Sequence, residues 1–374
     1  MKKHLDYFLL GLVAFLIIFG LVFLSCLSSY ASLQKYGTTN YYLFHQLVLG
    51  VVAIAMGFIA YKIPLPFLKK WAPLLVILNL VALFFVFLPG IGTKIWGASR
   101  WITIFGHSIQ PSEFLKITSI LYLSAWIASK LSDVNVSGWK LTAQKNYHNI
   151  IYILIPFLIF LGIISIGLTL QKDATTLGII TITLLVVYFS SKTPWWHTAL
   201  IILLGLTALF LLIKFEPYRV DRFLTFLHPD QDPLGKGFQL KQSLISIGSG
   251  GIVGKGLGMS TQKFGFLPQA ISDAVFSIIG EELGIIGCSF IVGLFCLFFW
   301  LGIKVAQRTN DKFAKLTAIG ISFWITLQAF INIASAAGIF PFVGIPLPFF
   351  SYGGSHLITE LIGVGILLNI SKNA

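Results

Sequence analysis

Long apolar runs with almost no charge recur from one end of this chain to the other. Crossing a bilayer as a helix takes ~20 apolar residues, and repeated runs of that kind call for lipid rather than water as the solvent. Of 374 residues, 56% are hydrophobic and 10% are charged, with a mean hydropathy of +0.89. Strands of a membrane barrel alternate apolar and polar residues, and these runs do not. The expected fold is all-α: a polytopic integral membrane protein, with residues 1–374 forming a single transmembrane domain.

Ten spans can be drawn. The first five cover Phe8–Ser28, Phe44–Tyr61, Pro73–Leu88, Phe114–Ser129 and Ile150–Leu170. The second five cover Thr176–Ser190, Trp195–Ile213, Ala274–Ile303, Leu316–Gly338 and Ser355–Ile370. The eighth is long enough to tilt or to project past the membrane surface. The basic start, MKKHLDYFLL, runs into a first span with no A-x-A-like cleavage signal, which predicts a retained helix rather than a signal peptide.

Basic residues set the orientation. Lys2, Lys3, Lys62, Lys69, Lys130, Lys192, Lys304 and Arg308 fall on one side, while only Lys35, Lys94, Arg100 and Lys172 occupy the short loops of the other. The positive-inside bias makes the first side cytoplasmic, with both termini inside. The same bias accounts for the net charge of +13, and no nucleic-acid partner is expected. The inner loops are too short to hold a soluble catalytic domain. Cys288 and Cys296 lie ~12 Å apart along one helix, too far for a disulfide; with Cys26 they read as packing residues.

Three outer segments stand out: Pro89–Gln110, Ile339–Gly354, and a loop of about sixty residues over 214–273, between the seventh and eighth helices. The long loop is rich in cations. Long loops escape the orientation bias, so this is either an incidental feature or a sign of an anionic ligand.

Asp273 opens the eighth span. It reads as a helix N-cap or as a functional acid at the membrane boundary. Below it, Ser277, Gly280, Gly284 and Cys288 form a small-residue stripe, suited to close packing or to a lipid tail. Glu281 and Glu282 point about 100° apart. Each needs a cation, a proton or a water-filled cavity at that depth, and an ion pair is expected for at least one. Glu113 and Lys116, at i,i+3, form an ion pair or lend Lys116 to a phosphate. Gln171-Lys172-Asp173 is a polar turn or a cavity lining. Pro341, Pro346 and Pro348 forbid regular helix over Phe340–His356, and Gly353 and Gly354 allow close backbone approach. That segment should be re-entrant or cap-like over a cavity, with Ser351 and Tyr352 as hydrogen-bonders. The seven histidines are scattered, so no metal ligand is assigned.

Taken in order, these blocks resemble the SEDS proteins (shape, elongation, division and sporulation), which include FtsW and RodA. The resemblance rests on Gly97-Ala98-Ser99-Arg100-Trp101, Gln110-Pro111-Ser112-Glu113 with Lys116, Gln171 with Asp173, and Tyr218-Arg219. It continues through Gln239, Gln242-Ser243-Leu244, Phe266-Leu267-Pro268, Asp273, Glu281-Glu282-Leu283-Gly284, and Pro346-Leu347-Pro348-Phe349 with Ser351-Tyr352-Gly353-Gly354-Ser355. Gly258 to Lys263 and Ile278 to Gly284 look closer to FtsW than to RodA, with a RodA-like elongation polymerase as the alternative. The chain departs from the family pattern at Ser99, Lys172, Gln269, Ile271 and Ser272.

The resemblance implies a peptidoglycan glycosyltransferase of the bacterial cytoplasmic membrane, polymerising lipid II at its outer face in cell division. Asp273 would be the general base. Arg219, Lys116 and Lys263 would face the diphosphate, with Mg or Mn as an optional cofactor. Glu113, Arg100, Gln242, Ser243, Asp173 and Ser351 would contact substrate, and Glu281, Glu282, Gly353 and Gly354 would be structural. The implied partners are membrane lipids, a class B penicillin-binding protein transpeptidase and divisome proteins. Two rival readings are a lipid II flippase and a non-catalytic scaffold for a division transpeptidase.

Overall fold

The computed structural model describes residues 6–90, 92–95, 98–104, 107–130, 150–191, 224–228 and 235–373, with 197, 200, 201 and 205 as isolated positions. Apolar runs become helices because lipid leaves backbone groups no partner outside their own segment. The first three are α1 (Tyr7–Tyr36), α2 (Tyr41–Lys62) and α3 (Leu65–Phe85), followed by α4 (Pro111–Lys130). A π turn (Ile150–Leu154) runs into α5 (Ile155–Leu170), and α6 is Ala174–Ser190. Within the long loop lies α7 (Lys236–Gly250), and beyond it come α8 (Val275–Arg308), α9 (Lys312–Ala336) and α10 (Gly354–Asn373).

Among the described residues, seven helical segments are long and apolar enough to cross a membrane: α1, α2, α3, Ile150–Leu170, α8, α9 and α10. The fourth and sixth predicted spans also form helices. However, α4 is less apolar because it carries Glu113, Lys116 and several serines, and α6 is short. The seventh, Trp195–Ile213, lies almost wholly outside the described residues, so the count of ten is not reached here.

The hub of the bundle is α9 with α10, whose apolar windows are 72% and 78% buried against 22% for α3. A helix surrounded by other helices favours small and polar residues that let neighbours approach and bond. In α9 these are Ser322, Thr326, Gln328, Asn332 and Ser335, all buried. Helix α2 crosses α10 so closely that a Cβ on Gly57 would stand 2.7 Å from the Leu361 carbonyl oxygen.

Helix α8 is broken at Gly284, whose φ of 64° and ψ of −162° belong to a region open almost only to glycine. The break removes the helical bonds from Ile285 to Glu281 and from Ile286 to Glu282. The turn after α7 replaces both. Ile285 and Ile286 N–H donate to the Gly251 and Ile252 carbonyls at 3.0 and 3.2 Å. The Glu281 and Glu282 carbonyls accept from Lys255 and Gly256 N–H at 3.0 and 2.9 Å. A buried backbone group left unpaired costs about 1–3 kcal/mol, so this exchange offsets the cost of breaking the helix. The small-residue stripe is therefore filled by protein: α7 packs on Ser277 and Gly280, and the following turn packs on Gly284. The lipid-tail reading of that stripe does not hold.

The outer segment before α4 contains an antiparallel meander of β1 (Gly92–Ile95), β2 (Ala98–Ile104) and β3 (His107–Ile109), in the order β1-β2-β3. The start of α1 and the end of α10 lie together at the opposite end of the bundle. There Asp6 N–H donates to Ser371 Oγ at 3.4 Å and the Asp6 carboxylate pairs with Arg308 at 3.5 Å.

Candidate active site

Asp273 sits in the last turn before α8. The turn is tight: the Gln269 carbonyl accepts from the N–H groups of Ser272, Asp273 and Ala274 at 3.1, 3.1 and 3.3 Å. Gln269 itself has a left-handed φ of 54°. The α8 N-cap is Ala274, not Asp273, so the Asp273 side chain does not have the capping role that its position suggested. The carboxylate is half-buried and lies against Gly344 of the re-entrant segment, where a Cβ would come 2.8 Å from Oδ2. Burial pushes its pKa up to about 6, while the Ser272 hydroxyl and the Arg100 guanidinium pull the other way. An acid with a pKa near neutrality can take up a proton during a reaction.

Backbone bonds and buried side chains fix the turn from three sides. Ser351 Oγ donates to the Ser272 carbonyl, and Tyr352 N–H donates to the Ile271 carbonyl at 2.9 Å. Asn332 Nδ2 donates to the carbonyls of both Asp273 and Ile345 at 2.8 Å. One turn away on α9, Gln328 Nε2 donates to the Pro346 carbonyl at 3.2 Å. The prolines bar this segment from pairing its own backbone as a helix, and irregular backbone at membrane depth survives only against protein or water. Here the side chains of α9 supply the partners. Ser351 is fully buried and its hydroxyl also accepts from Leu347 N–H at 2.8 Å. This corrects its expected place at the substrate and makes it a hydrogen-bonder of the segment.

Glu113 and Lys116 form a buried ion pair at 2.7 Å. The Lys116 ammonium also donates to Gln328 Oε1 at 2.8 Å and stands 5.4 Å from the Trp324 ring centre. It serves the hub rather than an open surface, and Gln328 links it to the re-entrant segment. Lys263 is likewise buried, paired with Glu282 at 3.4 Å and donating to the Gly258 carbonyl. In this arrangement neither lysine offers a free ammonium to a phosphate, contrary to the expectation for both.

Glu281 and Glu282 organise the loop over 255–263. Glu281 accepts from Lys255 Nζ at 2.7 Å and from Thr261 Oγ1 at 3.0 Å, and Glu282 accepts from Gly258 and Ser260 N–H at 2.9 and 3.2 Å. Ser243 is buried between helices, bonded to Ser277 Oγ at 2.5 Å and donating to the Ala336 carbonyl at 2.7 Å. It holds α7 on α8 and α9, which corrects its expected substrate contact. Gln242, next to it, is half-buried. Gly353 and Gly354 lie where a Cβ would come 2.6 Å from the His356 ring and 3.0 Å from Leu49.

Arg100, on β2, joins the remaining blocks. Its guanidinium donates to the Gln171 carbonyl at 3.3 Å and to the Lys172 carbonyl, and its charge acts on Asp273. Asp173 accepts from Ser112 Oγ at 3.2 Å and from Gln110 Nε2 at 3.4 Å, while Gln110 N–H donates to Ser355 Oγ at 3.1 Å. Five separate stretches thus meet at one end of the bundle, around an acid and a guanidinium. Arg219 lies outside the described residues. Among the described residues, no three His, Cys, Asp or Glu side chains gather in a way that could hold a metal ion.

Sequence reasoning passed over Gln328, Asn332, His356 and Glu360. A polar residue within an apolar span was the available signal, and each pair is spaced i,i+4.

A family profile described as "Cell cycle protein", of the FtsW, RodA and SpoVE type, matches residues 7–374. A protein of Borreliella burgdorferi named probable peptidoglycan glycosyltransferase FtsW is 39% identical, covering 96% of this chain and 94% of its own. Stage V sporulation protein E of Bacillus subtilis is 34% identical, covering 99% and 98%. In a solved peptidoglycan synthase complex, described as coordinating polymerization and crosslinking, one chain superposes with a TM-score of 0.74 at 26% identity, covering 99% of this chain and 98% of that one. The crystal structure of Thermus thermophilus rod shape determining protein RodA shares the fold, with a TM-score of 0.68 at 24% identity and coverage of 99% and 97%.

Proposed function

Because this chain belongs to the FtsW, RodA and SpoVE family of cell cycle proteins, we propose that it is a peptidoglycan glycosyltransferase. It polymerises lipid II at the outer face of the bacterial cytoplasmic membrane during cell division. One observation carries the reading: a half-buried carboxylate, Asp273, lies within the field of the Arg100 guanidinium, at the end of the bundle away from Asp6 and Ser371. With both termini cytoplasmic, that end is the outer one.

The sugar 4-hydroxyl of one lipid II is a poor nucleophile. Asp273 takes its proton as the oxygen attacks C1 of a second unit. The C1–O bond to undecaprenyl diphosphate breaks, and the electron pair leaves on the diphosphate. General-base assistance of this kind contributes ~10²–10⁴-fold. A glycosidase needs a second carboxylic acid for its leaving group, whereas a diphosphate departs as an anion and needs a counter-charge that strengthens as the bond breaks. With Lys116 and Lys263 held in ion pairs, that duty falls to Arg100 and Arg219. A Mg or Mn ion would be held mainly by the diphosphate itself. Asp173 with Gln110 and Ser112 forms a polar wall beside Arg100, and Gln242 is a further polar contact on α7. Direct displacement on an α-linked donor inverts C1 and yields a β-linked glycan. Similarity to a chain of a peptidoglycan synthase complex supports a class B penicillin-binding protein transpeptidase as partner.

The test supplies labelled lipid II to purified protein with its transpeptidase partner. Glycan strands from wild type and none from Asp273→Ala support the proposal. Equal product from both removes Asp273 from the chemistry, and transport of lipid II without polymer replaces the proposal with a flippase.

A further inference from the structure

Two buried ionisable side chains of α10 take no part in the chemistry above. Glu360 is fully buried and His356 nearly so. They lie four residues apart, on one face of the helix, and that face meets the re-entrant segment. Glu360 Oε2 accepts from Phe349 N–H at 3.0 Å. His356 Nε2 lies 3.1 Å from the Ser351 carbonyl oxygen; a carbonyl only accepts, so this nitrogen carries the hydrogen. The two side chains thus grip backbone groups two residues apart.

The gripped backbone is unusual. Phe349 has φ +66°, a left-handed conformation that a bulky residue adopts only when its surroundings hold it there. Two residues on, Ser351 Oγ bonds the Ser272 carbonyl and Tyr352 N–H bonds the Ile271 carbonyl. Asp273 follows directly. Hydrogen bonds joined by two short lengths of backbone therefore connect Glu360 to the turn that carries the acid.

Glu360 is also a costly residue to keep. Its Oε1 has no hydrogen-bond partner, and the charged groups acting on it are Glu113 and Lys116 of α4. A buried acid so incompletely matched is poor evidence for stability. Its one hydrogen bond is to the strained turn.

We propose that Glu360 and His356 are positioning residues: from α10 they set the left-handed turn at Phe349 and, through Ser351 and Tyr352, the placement of Asp273. The functional consequence rests on the glycosyltransferase reading, whereas the positioning itself does not.

Two substitutions separate reach from acidity. Glu360→Asp keeps the carboxylate but draws it back by about 1.5 Å, out of range of Phe349 N–H. Glu360→Gln keeps the length and an acceptor oxygen but removes the ionisable group. With lipid II as substrate, E360D is expected to lower kcat about 10–100-fold with KM within about twofold. E360Q should stay within about threefold of wild type. His356→Leu should lower kcat and His356→Gln, which retains a donor, should restore part of it. Hydrogen–deuterium exchange of peptides covering 269–274 and 345–352 reads the positioning directly. It should speed up in E360D and not in E360Q, at equal unfolding temperatures. If wild type makes no polymer, the glycosyltransferase reading fails while the exchange arm still tests this one. The proposal is overturned if E360D keeps wild-type exchange at 269–274, or if E360Q falls as far as E360D. Should E360D not fold, exchange at 269–274 in the His356 pair decides in its place: faster in His356→Leu than in His356→Gln supports the proposal, and wild-type exchange in His356→Leu overturns it.

Discussion

Gly344→Ala probes the placement of the acid without touching it. No positive φ holds Gly344, so alanine fits its backbone. The added Cβ would stand 2.8 Å from Asp273 Oδ2, where ordinary contact begins at 3.4 Å. The carboxylate must therefore retreat by about 0.6 Å, the difference between those distances. A 1 Å misplacement costs ~10²-fold in rate, so a loss of about 10–30-fold in kcat is expected, or about 1.4–2 kcal/mol of barrier. Folding should barely change, since losing glycine freedom stabilises by about 0.4–1 kcal/mol and offsets the crowding. The assay is initial-rate polymerisation of lipid II, with thermal unfolding in detergent as the control. A folded variant with wild-type kcat would show that the Asp273 carboxylate does not work from its place beside Gly344.

Other outcomes follow from the same geometry. Asp273→Asn should raise the unfolding temperature at pH 8. Burial raises the folded pKa from 3.8 to about 6, so the ionised acid destabilises the fold above that value and ceases to do so below the unfolded value. The full shift corresponds to ~3 kcal/mol, which solvent at this half-exposed site reduces to about 1–2 kcal/mol. The difference between variant and wild type should vanish by pH 4; a constant difference across pH would contradict the cause assigned here. Gly284→Ala places a Cβ 2.5 Å from Gly254 N at a φ of +64°, and should destabilise by roughly 3 kcal/mol or more, measured by thermal unfolding. Lys263→Met leaves Glu282 buried without its cation and should cost about 3–5 kcal/mol, most of which a second change, Glu282→Gln, restores. Additive losses in that cycle would show that the two side chains are not coupled.

The spans were legible because lipid leaves helix as the cheap solution for an apolar run, and boundaries over Ile150–Leu170 and near Ala274 agree closely with the structure. The meeting of Arg100, Gln110, Asp173 and Asp273 was legible only through the resemblance, since those residues lie far apart in the chain. The break at Gly284 was hidden because Glu281-Glu282-Leu283-Gly284 reads as ordinary helix until the Gly251–Gly256 turn is present to exchange bonds with it. The fates of Lys116, Lys263, Ser243 and Ser351 were hidden for a related reason. A polar residue near an apolar span announces that it has a partner, but not whether that partner is a ligand or another segment's backbone. Gln328 with Asn332 and His356 with Glu360 carry the same ambiguity, and the structure resolves it in favour of the re-entrant backbone.

The dependence of polymerisation rate on pH examines the role of Asp273 most directly. With that residue as base, kcat/KM of the wild type should fall tenfold per unit as pH drops below about 6, and Asp273→Asn should lack both the activity and the limb. A rate that stays level through that range, or glycan strands made equally well by Asp273→Asn, would contradict it.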